Sequence, residues 1–203
     1  MRVGVLGGTF DPVHIGHLRL AEAARENLAL DEVLFVPAGQ PWRKSDRRIA
    51  AAEHRLAMLE LAVAGNEDFG VSDLELRRPG PTYTAETLEL LAGERLDDEF
   101  YFIIGADALA DLPNWHEPQR IVAHATLAVA ARELEQASAA TLEVPGIAAR
   151  LEPFPMIRMD ISSTDIRARV AAGRSIRYLV PDAVASYIAE HGLYRDENRA
   201  PPD

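Results

Sequence analysis

The chain contains no cysteine, and this absence removes several kinds of chemistry at once. Without a thiol there is no disulfide, no thiolate metal site and no cysteine nucleophile, so the six histidines are the only soft metal ligands. A globular chain that manages without disulfides is typical of a reducing compartment. We therefore expect a cytoplasmic protein.

Long apolar runs are also missing. The longest, Ile121 to Ala131, is interrupted by His124 and falls well short of the ~20 residues that cross a bilayer. The N-terminal run is stopped by Gly7 and Gly8 before it reaches the ~7–15 apolar residues of a secretion signal. These patterns predict no membrane contact, and they indicate that the first run is a buried strand.

Positive charge is scarce, since 21 Lys and Arg stand against 32 Asp and Glu and give a net charge of −11. A negative surface repels nucleic acid, so we expect no nucleic-acid partner. An anionic ligand would have to be held by local positive groups. The hydrophobic fraction of 48% and the charged fraction of 26% are ordinary for globular proteins and exclude a disordered or fibrous chain.

Short apolar runs alternate with stretches of helical periodicity along the chain. The predicted strands are Val3 to Leu6, Val33 to Val36, Phe69 to Leu76, Phe100 to Ile104 and Thr126 to Ala130. The predicted helices are His17 to Leu28, Glu53 to Val63 and Tyr83 to Leu91, with two more that start near Ser163, as N-cap, and near Pro181.

This alternation predicts an α/β fold with a Rossmann-like, doubly wound parallel sheet. On a prior of ~150 residues per domain, the length predicts a single domain. We place it at residues 1–194, and we expect the polar segment 195–203, with its two prolines, to be a disordered tail. The sequence leaves homo-oligomerisation open.

The strongest motif, GGTFDPVHIGH at residues 7–17, lies between the first strand and the first helix. Glycines at the carboxyl end of a parallel strand let the backbone approach a ligand, and the following helix directs N–H groups and its positive dipole end toward phosphate. No Gly-Lys-Ser/Thr follows, and the third glycine of a dinucleotide fingerprint is missing. Groups other than a P-loop lysine must therefore bind the phosphates.

His14 and His17 stand where this helix begins, so both can face the loop and donate to phosphate oxygens. The alternative is that one of them only caps or packs. A third His, Asp or Glu at metalloenzyme spacing is missing, so we predict no protein metal site.

Two other segments complement this loop. Residues 40–48 concentrate four positive charges, Arg43, Lys44, Arg47 and Arg48, near the carboxyl edge of the sheet. They are interpreted as a clamp for an anionic ligand, with a solvated basic loop as the alternative. Ile161 to Arg167 reads ISSTDIR, in which Ser162, Ser163 and Thr164 stand at a helix start with Arg167 one turn in, which favours a second phosphate site over a plain cap.

Three weaker candidates follow. Gly105 and Asp107 come after an apolar strand, where a carboxylate takes a ribose hydroxyl or caps a helix. Trp115 stands in a turn, where its indole stacks on a flat ring or simply packs. The segment with Thr82, Tyr83 and Thr84 precedes a helix and offers backbone N–H groups to a carboxylate.

The motifs GGTFDPVHIGH and ISSTDIR together resemble the nucleotidyltransferase superfamily that carries the T/HxGH motif, and most closely its bacterial nicotinate-nucleotide adenylyltransferases. The resemblance runs nearly end to end. It is carried further by PWRK at 41–44, RPGPTYTAETL at 78–88, GADALADLPNWHEP at 105–118 and IRYLVPDAVASYIAEHGLY at 176–194. One departure is Trp42-Arg43, where family members often have Pro-His.

This resemblance implies the nucleotidyltransferase version of the doubly wound fold and the transfer of AMP from ATP to nicotinate mononucleotide, with Mg²⁺ as cofactor. It implies that His14, His17, Lys44 and Arg167 hold the ATP phosphates. Gly7, Gly8, Thr9 and Phe10 would line the nucleotide, and Ser162 to Thr164 would close over it. Trp115 would stack on the nicotinate ring, with Tyr83 and Thr84 at its carboxylate.

Three alternatives stay open. The string His-Ile-Gly-His at 14–17 also occurs in class I aminoacyl-tRNA synthetases, although 203 residues leave no room for an anticodon-binding domain. A module that senses ATP without turnover is the second. Within the superfamily, an enzyme that acts on pantetheine phosphate or transfers a cytidylyl group is the third, and the segments of Trp115 and Tyr83 argue against it.

Overall fold

The computed structural model describes residues 1–39, 49–130, 139–157 and 159–195. The strands in these ranges are β1 Arg2–Gly8, β2 Glu32–Pro37, β3 Phe69–Val71, β4 Glu99–Ile104, β5 Ala125–Ala130 and β6 Leu151–Phe154. They form one sheet in the order β3-β2-β1-β4-β5-β6, and every neighbouring pair is parallel. Because the order reverses between β1 and β4, the sheet is doubly wound, as predicted.

The helices cover both faces of this sheet. Within the described ranges they are α1 Ile15–Asn27, α2 Ala52–Val63, α3 Thr84–Glu94, α4 Ala106–Asp111, α5 Pro118–His124, α6 Ala139–Glu143, α7 Ser163–Ala171 and α8 Asp182–Glu190, with short 3-10 turns at Leu112–Asn114 and Ala148–Arg150. One buried cluster joins α1, α2, α7 and α8 to the sheet, and a second joins α3, α4 and α5 to its other face. Strands covered on both sides read as continuous apolar runs.

The edge strands differ from the prediction. β3 ends at Val71 instead of running to Leu76, because the chain turns there: the N–H of Arg77 donates to the carbonyl of Asp73, and that of Arg78 to Glu75. β6 was not predicted. It contains Pro153, and an edge strand tolerates a proline because one side of its backbone needs no donor.

The last two helices were placed correctly within a residue. The N-cap of α7 is Ser162, whose side chain accepts the N–H of Asp165 at 3.1 Å, so the prediction that Ser163 caps this helix was wrong by one position. Gly173 follows the end of α7 with φ +67°, which is the conformation that favours glycine there. Pro181 is the N-cap of α8.

Two predictions lie outside the described residues. They are the clamp at 40–48, with Trp42, Arg43 and Lys44, and all of the polar tail except Arg195. The single domain at 1–194 stays a prediction. Across the part of the chain that the structure describes, no helix is both long and apolar enough to cross a membrane.

Candidate active site

The candidate site lies at the carboxyl ends of β1 and β4, where the sheet order reverses and a crevice opens. Gly7 and Gly8 end β1, and Gly105 follows β4 as the N-cap of α4. A Cβ atom on Gly7 would lie 3.6 Å from the ring of Phe102 on the neighbouring strand. A Cβ atom there would make only an ordinary contact, and Phe102 itself is buried in the second cluster, so packing does not require this glycine.

The two histidines of the loop form a stacked pair. His14 is the N-cap of α1, and its backbone N–H donates to Nδ1 of His17 at 3.2 Å. Their ring centroids are 3.6 Å apart, and the edge of Phe10 packs on His17 at 5.0 Å. Because Nδ1 of His17 accepts a hydrogen bond, the neutral ring carries its proton on Nε2, which makes Nε2 a donor.

His14 is a buried, neutral imidazole. It is 6% exposed, and burial lowers its pKa from 6.5 to about 4. Its Nδ1 is buried without a hydrogen-bond partner among the described residues. A Cβ atom on Gly16 would lie 3.0 Å from this Nδ1, so the glycine of the motif makes room for the ring against the first turn of α1.

The start of α7 packs directly on the same loop. The hydroxyl of Ser163 donates to the carbonyl of Pro12 at 2.9 Å, and Nη1 of Arg167 donates to the carbonyl of Asp11 at 2.6 Å. Nη2 of Arg167 donates to the hydroxyl of Thr164 at 3.3 Å. The fold thus brings together two motifs that are more than 150 positions apart in the sequence.

The hydroxyls of this segment are engaged within the protein. Ser162 caps α7, Ser163 binds the loop, and Thr164 accepts from Arg167. Ile161 lies 3.8 Å from where a Cβ of Gly16 would be. Ser162 and Thr164 only accept in these bonds, so the start of α7 offers an anion their two O–H groups together with its backbone N–H groups and its dipole.

The residues expected to bind the nicotinate group lie near the start of α3. Tyr83 is the N-cap of α3, Thr84 is its first residue, and the ring of Tyr83 lies 4.2 Å from that of His116. Trp115 is half-buried: its Nε1 donates to Asp111 at 3.2 Å, and its ring meets Phe102 edge-on at 6.1 Å. The indole therefore packs against the second buried cluster, which contains Phe102, and its remaining surface is exposed.

Thr82 faces the protein instead of the crevice. It is 7% exposed, and its hydroxyl donates to Oε2 of Glu75 at 2.6 Å. The hydroxyl of Thr87 donates to the other oxygen of Glu75 at 2.7 Å. A Cβ atom on Gly39 would lie 2.4 Å from the carbonyl oxygen of Glu75, so the end of β2 packs tightly on this turn. Glu75 thus fastens the start of α3 to the sheet.

Comparison with known proteins identifies this architecture. The family model described as Cytidylyltransferase-like matches residues 5–169. A protein of Thermomicrobium roseum, named probable nicotinate-nucleotide adenylyltransferase, is 50% identical over 196 residues, which cover 96% of this chain and 92% of that protein. A protein of the same name from Roseiflexus sp. is 50% identical over 203 residues, which cover 95% of this chain and 98% of that protein. The chain belongs to the nicotinate-nucleotide adenylyltransferase family.

Solved structures of this family share the fold. Plasmodium falciparum nicotinic acid mononucleotide adenylyltransferase, complexed with NaAD, matches with a TM-score of 0.75 at 18% identity, covering 95% of this chain and 97% of that one. A Vibrio parahaemolyticus structure, described as a putative nicotinate-nucleotide adenylyltransferase, matches with a TM-score of 0.70 at 19% identity, covering 96% of each. The nucleotidyltransferase architecture expected for this adenylyltransferase family member is confirmed.

Arg55 is a member of this site that the sequence did not reveal. It lies on α2 and is 2% exposed, and its guanidinium donates to the carbonyls of Thr9 at 3.0 Å, Gly39 at 3.3 Å and Ala50 at 3.2 Å. Burial lowers its pKa, although a guanidinium stays charged. It ties the glycine loop of the adenylyltransferase fold to the end of β2. It shares the buried face of α2 with Met58, Leu59 and Val63, so the helical periodicity could have marked it as buried, although not which carbonyls it binds.

The described residues hold no group of three or more His, Asp or Glu side chains that could bind a metal ion. The groups that converge here are imidazoles, a guanidinium and helix N–H donors, which suit phosphate oxygens, whereas Mg²⁺ prefers carboxylate oxygens. The side chain of Asp107 and all of Lys44 lie outside the described residues.

Proposed function

We propose that this chain transfers AMP from ATP to nicotinate mononucleotide, forming nicotinate adenine dinucleotide and releasing pyrophosphate. The observation that supports the proposal is that the loop with the stacked His14 and His17, bonded to Arg167, follows β1, while the segment with Trp115 follows the neighbouring strand β4. The relatives at 50% identity carry the same activity in their names.

In this reaction a phosphate oxygen of the mononucleotide attacks the α-phosphorus of ATP, and the bond from that phosphorus to the pyrophosphate breaks. The nucleophile is already an anion, so no general base is needed. Catalysis then consists of alignment and neutralisation of charge. We propose that His17 donates its Nε2 proton to a phosphate oxygen of ATP and that the neutral ring of His14 forms a second hydrogen bond to the phosphates. Arg167 and Lys44 supply the positive charge that neutralises them.

The nucleotide is assigned to the residues around the glycine loop. The assigned contacts are Gly7, Gly8, Thr9, Phe10, Gly105, Asp107, Ile161, Ser162, Ser163 and Thr164. The support is that Gly7 and Gly105 end neighbouring strands and that α7 is bonded to the loop. Ser163 acts through its backbone, because its hydroxyl proton is donated to Pro12, whereas Ser162 and Thr164 keep their hydroxyl protons for the nucleotide.

The acceptor is assigned to Thr82, Tyr83, Thr84 and Trp115. Since α3 begins at Thr84, the N–H groups of its first turn have no acceptor within the helix, and they can satisfy the two oxygens of a carboxylate. A carboxamide would turn its own donors toward one of them, at ~1–3 kcal/mol for each unpaired group. Trp115 stacks on the ring, and Thr82 contributes by holding the segment on Glu75.

Mg²⁺ is assigned to the phosphates of ATP, because the described side chains are donors to phosphate and do not form a cation cage. When bound, it would neutralise phosphate charge. A cytoplasmic location, the absence of nucleic-acid and membrane partners, and homo-oligomerisation stay predictions.

Pyrophosphate release tests the proposal. Purified protein with Mg²⁺ is given ATP or CTP together with nicotinate mononucleotide, nicotinamide mononucleotide or phosphopantetheine. We expect turnover with ATP and nicotinate mononucleotide, and a kcat/KM at least ~10-fold lower for the nicotinamide analogue. Parity between the two mononucleotides would refute the carboxylate assignment. ATP binding without pyrophosphate release would favour a nucleotide sensor, and a preference for CTP or phosphopantetheine would favour another branch of the superfamily.

A further inference from the structure

One hydrogen bond joins the C-terminal part of the described chain to the nucleotide loop. The phenol of Tyr194 donates to Oδ1 of Asp11 at 2.7 Å, across 183 positions of sequence. Asp11 belongs to the GGTFDPVHIGH motif and is 4% exposed. Burial and the carboxylate of Asp11 raise the pKa of Tyr194 far above its usual value. The phenol is therefore protonated and a hydrogen-bond donor at neutral pH.

The backbone that carries Tyr194 has an unusual conformation. The N–H of Leu193 donates to the carbonyl of Ile188 at 3.0 Å, which ends α8 in a left-handed turn at Gly192 with φ +61°. Tyr194 also has a positive φ, +63°. A bulky residue is strained in this region, so the conformation persists only where surrounding contacts fix it. The bond to Asp11 is such a contact.

Asp11 in turn stands next to the cation assigned to the phosphates. Its Oδ1 also accepts the N–H of Ala50 at 3.2 Å, while its Oδ2 lies 3.8 Å from Nη1 of Arg167. That Nη1 donates instead to the main-chain carbonyl of Asp11 at 2.6 Å. The carboxylate is thus turned toward Tyr194 and Ala50, and it stops short of a direct hydrogen bond to the guanidinium.

We propose that Tyr194 is a positioning residue that holds the Asp11 carboxylate back from Arg167 and so keeps the charge of this arginine available to the ATP phosphates. The proposal rests on the proposed function. If the phenol is lost, a buried carboxylate oxygen loses a donor, and the nearest charged replacement is Arg167. The present ion pair at 3.8 Å would then shorten to a hydrogen-bonded one and compete with ATP for the guanidinium.

The test is Tyr194→Phe, with Tyr187→Phe as the matched control. Tyr187 lies on α8, and its phenol bonds Nδ1 of His54 at 2.9 Å, so the control removes a comparable hydroxyl with no contact to Asp11 among the described residues. We expect Tyr194→Phe to raise the KM for ATP about tenfold, the effect of one hydrogen bond to a charged group. The KM for nicotinate mononucleotide stays within about twofold, and Tyr187→Phe changes neither constant.

A rescue separates positioning from simple destabilisation. Asp11→Asn removes the charge that would close on Arg167, so the double variant Asp11→Asn with Tyr194→Phe is expected to recover part of the ATP affinity that Tyr194→Phe loses. A stabilising contact alone would make the double variant worse. Both KM values rising together, or Tyr194→Phe behaving like Tyr187→Phe, would equally overturn the proposal.

ATP binding measured by calorimetry keeps this test separate from that of the proposed function. If the wild-type protein released no pyrophosphate, the proposed function would fail, while a selective loss of ATP affinity in Tyr194→Phe would still support the role of Tyr194. If Tyr194→Phe did not fold, the double variant with restored folding and ATP binding would support the proposal, and one that also failed to fold would refute it.

Discussion

The nucleotide side and the acceptor side of the crevice are built in different ways. On the nucleotide side, the loop at 7–17 is held by residues far away in sequence, among them Ser163, Arg167 and Tyr194. On the acceptor side, Glu75 binds Thr82 and Thr87, only 7 and 12 positions away. The first side depends on the whole topology, whereas the second is a local turn fastened by one carboxylate.

This difference suggests that the nucleotide side determines the rate of the reaction and that the acceptor side determines which mononucleotide is used. Groups held by long-range contacts are fixed relative to the sheet, which is what a preorganised phosphate site requires. A turn held by one buried carboxylate can be loosened without disturbing that site. Variants on the nucleotide side are therefore expected to reduce turnover or ATP use, and variants on the acceptor side to change the constants for the mononucleotide.

The largest effect is expected from His17→Ala. Loss of one preorganised donor to the transition state costs about 2.7–4 kcal/mol, so kcat falls at least ~100-fold while the protein stays folded. The measurement is steady-state kcat beside a thermal unfolding curve. A variant with nearly normal turnover would mean that His17 only packs on His14 and Phe10.

A smaller effect is expected from the pH dependence of stability at His14. Its pKa is about 4 in the folded state, against 6.5 unperturbed, so below pH 6.5 the unfolded chain binds a proton that the folded chain does not. Stability is then lost as the pH falls from 6.5 toward 4. Between pH 6.5 and 5 this amounts to about 2 kcal/mol.

Urea unfolding at pH 7 and at pH 5 measures this loss, with His14→Asn as the reference, because the other histidines are common to both proteins. The wild type is expected to lose more stability than the variant. An equal loss in both would show that His14 takes up its proton as readily in the folded protein.

On the acceptor side, Glu75→Gln is expected to reduce the free energy of unfolding by about 1.5 kcal/mol, because the Thr82 and Thr87 hydroxyls lose a charged acceptor. The KM for nicotinate mononucleotide rises several-fold, and the KM for ATP is unchanged. Glu89→Gln on α3 is the control, since its exposed pair with Arg120 contributes about 0–1 kcal/mol. Equal changes in both KM values would contradict the separation of the two sides.

The smallest effect is expected from Trp115→Ala. Stacking on the pyridine ring is worth about 0.5–1.5 kcal/mol, so the KM for both mononucleotides rises by the same modest factor. Trp115→Phe, which keeps an aromatic face, is expected to restore most of the loss. Kinetics with the nicotinate and nicotinamide forms decide the matter: a change in their ratio would show that the indole contributes to selectivity.

The central strands and the site motifs were predictable because their causes are local. Strands covered on both faces must be apolar along their length, which is why β1, β2, β4 and β5 stand out as runs. Glycines next to a strand end and histidines at a helix start have their physical reasons within a few residues, as the contact of Gly16 with His14 shows.

The contacts that complete the site could not be predicted in this way. Nothing in one sequence says that Tyr194 contacts Asp11, or which carbonyls the buried guanidinium of Arg55 binds. Ser162 and Ser163 are equally good caps, and only packing against Pro12 decides between them. Such choices depend on distant parts of the chain.

The central place of β1 in the sheet has a consequence for biosynthesis. Its partner β2 begins at Glu32, but its other partner, β4, begins at Glu99, and α7 begins at Ser163. During synthesis, β1 and β2 leave the ribosome first, and the edge of β1 that pairs with β4 stays unpaired until residues 99–104 have been made. An unpaired strand edge is where incomplete chains associate. Between the synthesis of β2 and that of β4, one edge of the central strand β1 is therefore without its partner.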